Sequence, residues 1–94
     1  MPYIKTEDRK KVDDQINELI LAISEADPTG HDVDGFVNYS FTRIIHHLYD
    51  LVNRPTYKKS NAAMGVLGCI AQELYRRKVA PYEDTKIIEN GDVK

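Results

Sequence analysis

Three histidines, one cysteine and 15 acids are the groups in this chain that could hold a metal or attack a bond. His46 and Asp50 stand four apart, the spacing at which two side chains share a helix face and can share an ion. His47 follows His46 directly, and helical neighbours point about 100° apart, so the two do not readily join one site. A third ligand would have to come from His31, in a loop. The run Asp32-Val33-Asp34-Gly35 invites a calcium loop, but placing Gly35 at the sixth position puts Gly30 and Phe41 where the ion needs acids. No metal is therefore expected. Nucleophiles are no better placed. Cys69 lies among small residues of a helix, where a buried, inert thiol is expected. Ser24, Ser40 and Ser60 stand in no nucleophile-elbow context, and Gly65 and Gly68 lack the spacing and preceding strand of a phosphate loop. No catalytic residue and no cofactor are expected.

Cations and aromatics are more suggestive. Lys5, Arg9, Lys10 and Lys11 crowd the start, Arg43 and Arg54 lie in the middle, and Arg76-Arg77-Lys78 come later. Six tyrosines are interleaved with them. Guanidinium grips phosphate with two parallel bonds, and tyrosine stacks on bases. Tyr3, Arg9, Tyr39, Arg43, Arg76, Arg77 and Tyr82 are therefore the candidate ligand-binding residues, for a nucleotide-like anion. The bland alternative is solvated lysines, with the arginines paired to Glu83 and Asp84. An enzyme remains an alternative. All-α nucleotide pyrophosphohydrolases hold magnesium with acids repeated along facing helices, and Asp13, Asp14, Glu18 and Asp50 are the helical acids that could imitate this.

The elements that must carry these groups read as helices. Val12, Ile16, Leu19, Ile20 and Ile23 form one stripe at helical period, predicting a first helix over 6–25 with Thr6 as its N-cap. Asp27-Pro28-Thr29-Gly30 ends it, and Asp34 is expected to cap the next. Val37, Phe41, Ile44, Ile45, Leu48 and Val52 predict a second helix over 35–53, ended by Arg54-Pro55. Ala63, Met64, Leu67, Ile70, Ala71 and Leu74 predict a third over 60–79, and Pro81 opens a short fourth helix. Two glycines inside the third helix cost about 1 kcal/mol each relative to alanine, so a compensating close approach is expected. Ala62, Gly65, Gly68 and Cys69 are the candidate interface, where another helix or a flat ligand comes near.

Composition sets the frame. The chain has 94 residues, 41% apolar and 30% charged, with a formal net charge of −2. That fits one helical domain over 1–94 and excludes both a disordered tail and a strongly basic nucleic-acid binder. One cysteine allows no intramolecular disulfide. No apolar run is long enough to span a bilayer and no signal-peptide pattern precedes the charged start, so a reduced, cytoplasmic protein is expected, with no membrane and no nucleic-acid partner. A chain this short buries only about 60–65% of its unfolded surface, which makes self-association a natural way to cover the rest.

Several segments carry a resemblance. Met1-Pro2-Tyr3-Ile4-Lys5, Asn38-Tyr39, Thr42-Arg43, Tyr75-Arg76-Arg77, Ala80-Pro81-Tyr82-Glu83-Asp84 and Glu89-Asn90-Gly91-Asp92-Val93 together resemble a family of short bacterial and phage proteins without a settled activity. In that pattern an acid commonly stands where this chain has Ala62, and another where it has Gly68, so acid-dependent chemistry there is not implied for this chain. The stretch from Ala71 to Glu83, a small-residue helix followed by cations and Pro-Tyr-Glu, also resembles the helical hairpin of phage proteins that sequester cyclic-nucleotide immune signals. That resemblance implies a helical oligomer that binds and does not catalyse.

The expectation is thus an all-α bundle of three main helices and a short C-terminal one. The first two pack antiparallel through their stripes and the third lies across them. The expected function is a non-catalytic, homo-oligomeric binding protein for a phosphorylated, nucleotide-like ligand such as a cyclic-nucleotide signal. The alternatives are a metal-dependent nucleotide pyrophosphohydrolase and a protein–protein interaction module acting as an inhibitor or assembly factor.

Overall fold

A computed structural model describes residues 3–93, and every regular element among them is helical. The chain divides into two units, Met1–Leu48 and Tyr49–Lys94.

The first unit opens with a single turn, α1, Thr6–Arg9. Thr6 lies inside it and Lys5 is the cap residue, with no side-chain cap bond, so the predicted Thr6 cap is not formed. The predicted continuous helix is also broken. Val12 leaves helical geometry at φ −127°, ψ −15°, and α2 begins afresh at Asp13–Ala26. The reason is local: Asp13 and Asp14 are suited to a first turn, where the helix dipole favours acids, so they start a helix instead of continuing one. Asp27, ahead of Pro28, ends α2 while its N–H still reaches the Ile23 carbonyl at 2.9 Å. In the linking turn Gly30 adopts φ +74°, a left-handed conformation open to glycine. The carboxylate that organises the turn is that of Asp27, which accepts the Asp32 N–H at 3.1 Å. Asp34, the expected cap, instead lies in the first turn of α3, Val33–Leu48.

α3 stops five residues short of the predicted end. Asp50, two residues past its end, takes φ +52°, a conformation a helix cannot contain. The stripes of α2 and α3 do not close on each other as expected. Leu19, Ile23 and Ile45 are half-buried, while Ile16, Ile20, Val37, Phe41, Ile44 and Leu48 remain exposed.

The second unit begins with the turn over 49–56, tied by Lys59. Its ammonium donates to Asp50 Oδ2 at 3.1 Å and to the Arg54 carbonyl at 2.8 Å. Thr56 caps α4, Tyr57–Leu74, by accepting the Lys59 N–H at 3.2 Å. The helix therefore starts three residues before the predicted Ser60. Ala63 is the one buried residue among those described, at 3% exposure.

The predicted break before Pro81 is absent. α4 runs into a π-helical turn over Tyr75–Val79 and then α5, Ala80–Asn90, with right-handed helical dihedrals at Tyr75, Val79 and Ala80. Proline in an α-helix removes one donor and clashes with the carbonyl four residues back. Here the turn takes up one extra residue, and the Ala80 N–H reaches five residues back to the Tyr75 carbonyl. The helix absorbs Pro81 by widening for one turn. Gly91, at φ +84°, ends α5 as its sequence position predicts.

Candidate functional site

α3 presents a polar rank on one side. Tyr39 and Arg43 are one turn apart, and the Arg43 guanidinium carbon lies 5.8 Å from the Tyr39 ring centroid. Beside them Thr42 donates its hydroxyl to Asn38 Oδ1 at 3.1 Å, again over one turn. Tyr39 is 63% exposed. Among the described residues no carboxylate pairs with Arg43.

The Tyr39–Arg43 ridge separates two open grooves. One, of about 430 Å³, has an apolar floor from Leu19, Ile44 and Leu48, with Ser40 and His47 beside it. The other, of about 630 Å³, is lined by Asp34, Gly35, Asn38, Thr42 and His46. Tyr39 and Arg43 belong to both. An aromatic ring can lie on the apolar side while the guanidinium offers its N–H groups to an anion across the ridge. His46 and His47 line different grooves, as their 100° offset predicts.

Arg76 and Arg77 of the second unit behave differently. Glu73 gathers both of them. Arg76 Nη2 donates to Glu73 Oε1 at 3.1 Å and to Oε2 at 3.0 Å, and Arg77 Nε donates to Oε2 at 2.9 Å. The spacings of three and four residues back were in the sequence, but Glu83 and Asp84 were the acids expected to pair with them. Glu83 instead accepts the Tyr75 hydroxyl at 2.5 Å. That bond and the negative charge of Glu83 hold the Tyr75 phenol above its usual value of 10.0. Tyr82 carries Lys86 over its ring at 5.5 Å.

Each unit holds part of the set of seven predicted ligand residues. Tyr39 and Arg43 are joined. Arg76 and Arg77 are joined through Glu73, and Tyr82 sits one turn beyond. Arg9 is turned onto the Ile4 carbonyl at 3.2 Å, and Tyr3 is exposed. At the predicted interface, a Cβ added at Gly65 or Gly68 would meet nothing within 4 Å, so no described residue of this chain itself lies close against either glycine. Cys69 is exposed, contrary to the buried thiol expected.

Asp50 lies beyond the end of α3 and is bound to Lys59. Among the described residues no group of three or more His, Cys, Asp or Glu is placed to hold a metal ion. Among the described residues no helix is long and apolar enough to cross a membrane.

A family model described as "Domain of unknown function (DUF6899)" matches residues 1–93, so the chain belongs to that family. Neither the curated proteins nor the solved structures contain a match to it.

Proposed function

We propose that this chain is a non-catalytic binding protein that works in the cytoplasm as a homo-oligomer and captures a nucleotide-like phosphorylated ligand at the Tyr39–Arg43 ridge. The bacterial and phage proteins that its terminal motifs resemble give the expected setting, and a cyclic-nucleotide signal is one ligand of the right chemistry. The observation that carries this reading is the exposed Arg43, whose guanidinium lies over the Tyr39 ring at 5.8 Å with no carboxylate partner among the described residues. The ring pre-orients the guanidinium, so less side-chain freedom is lost when an anion binds. Arg76 and Arg77, already occupied by Glu73, support a structural role better.

Thermal unfolding against a panel of mono-, di- and cyclic nucleotides tests this. Ligand at a hundred times its dissociation constant stabilises the folded state by about 2.7 kcal/mol. One or more members should raise the midpoint for the natural chain, and Arg43→Ala should abolish the rise while changing the unliganded stability by no more than about 1 kcal/mol. No rise with any member removes the nucleotide reading.

A further inference from the structure

The stripe on α4 has the spacing of a two-stranded seam. Ala63, Leu67, Ile70 and Leu74 recur at intervals of four, three and four, the a/d pattern by which one helix lies along another. Ala63 is covered, but Leu67, Ile70 and Leu74 are 40%, 56% and 57% exposed. The same helix carries an uneven sequence of charge. Lys58 and Lys59 stand in its first turn, and no charged residue occurs from Ser60 to Gln72. Glu73 follows with the cations Arg76-Arg77-Lys78, a cluster that is net positive, and then Glu83 and Asp84.

We propose that this seam is covered by the same seam of a second copy, running antiparallel about a two-fold axis beside Ile70. The inference rests on the self-association proposed above and adds its surface, direction and register. With the axis there, Leu67 lies opposite the partner's Leu74, and Ile70 lies opposite its own counterpart, so the three exposed seam residues form continuous apolar layers. Charge decides the direction. A parallel, in-register pair would set Lys58 and Lys59 against themselves, the net-positive cluster of 73–78 against itself, and Glu83 and Asp84 against themselves. Like charges juxtaposed across an interface oppose association. The antiparallel pair relieves all three conflicts. Lys58 and Lys59 come beside the acids at 83 and 84, and the cations come beside the uncharged 62–65 stretch. That stretch is built of small residues and methionine, and Gly65 leaves open space for the long arginine stems. The helix dipoles also oppose one another in this direction.

Disulfide trapping tests the register. In a Cys69→Ala chain, Leu67→Cys and Leu74→Cys are made separately, mixed, and oxidised mildly. The expected result is a cross-link between the two variants when mixed, and none in either variant alone. Self-linking of Leu67→Cys alone would establish a parallel pair and overturn the inference. A chain that sediments as an oligomer yet links in neither case would place association on another surface, which also overturns it while leaving self-association intact. A monomer at every concentration removes both. As a check free of added cysteine, Ile70→Lys sets two charges against each other at the axis. It should weaken association at least about tenfold, with helix content by circular dichroism unchanged.

Discussion

Arginine is not one kind of residue in this chain. Arg43 rests on a ring and faces open grooves, whereas Arg76 and Arg77 share one carboxylate. The difference follows from which side chain lies one turn away, an aromatic in one case and an acid in the other. The same logic governs Tyr75. Its hydrogen bond to Glu83 spans eight residues, and in an uninterrupted α-helix that separation lies about 80° out of register. The extra residue of the π-turn brings the two side chains onto one face. Because the phenol's value is raised in the folded chain, the contribution of this bond to stability is fully present below about pH 10 and fades as pH climbs through the raised value. Glu83→Gln should return the Tyr75 phenol toward its ordinary value, read by NMR titration of ring-labelled tyrosine. An unchanged titration would deny Glu83 that role. The glycines make a second prediction at this scale. With open space at both Cβ positions in the single chain, Gly65→Ala and Gly68→Ala should each stabilise it by about 0.5–1 kcal/mol in chemical denaturation at concentrations where it is monomeric, because alanine is the better helix former. A loss of stability in either would mean that something sits closely against that glycine.

At the scale of elements, helical character was legible throughout and boundaries were not. The stripes of α2, α3 and α4 stand out because 4-3-4 spacing is a helix signal. The break at Val12 was hidden because the apolar stripe runs through it, and only the Asp13-Asp14 pair betrays a new first turn. The early end of α3 was hidden because Arg54-Pro55 is the more conspicuous stop, and nothing in the type of Asp50 demands a positive φ. Pro81 misled most. Proline with acids behind it is the signature of a helix start, and α5 does place Pro81 in its first turn, but the preceding helix never lets go. Pro81→Ala restores a donor at that position and removes the reason for the wide turn. The helix should then close into regular α geometry, and Tyr75 and Glu83 should fall out of register. The raised titration of Tyr75 should vanish even though Glu83 is untouched. Persistence of that titration in Pro81→Ala would mean that the π-turn does not depend on the proline.

Of the candidate site, the Tyr39–Arg43 pair could be read from its four-residue spacing alone. That Arg76 and Arg77 share Glu73, and that Arg9 turns to a backbone carbonyl, could not, because which partners cations find depends on competing neighbours that spacing does not rank. At the scale of the whole molecule, the governing fact is that neither unit covers its own apolar stripes. Ile16, Ile20, Phe41, Leu48, Ile70 and Leu74 are all exposed, and Ala63 is the one buried residue among those described. Burying a side chain of this size is worth roughly 1.5–3 kcal/mol, and soluble chains seldom leave that many in water. The account therefore turns on mass. Sedimentation equilibrium of the full chain, from micromolar to millimolar, should give a small whole-number multiple of 10.8 kDa that falls toward the single-chain value on dilution. A mass of 10.8 kDa across that whole range would contradict the claim that other copies cover these faces.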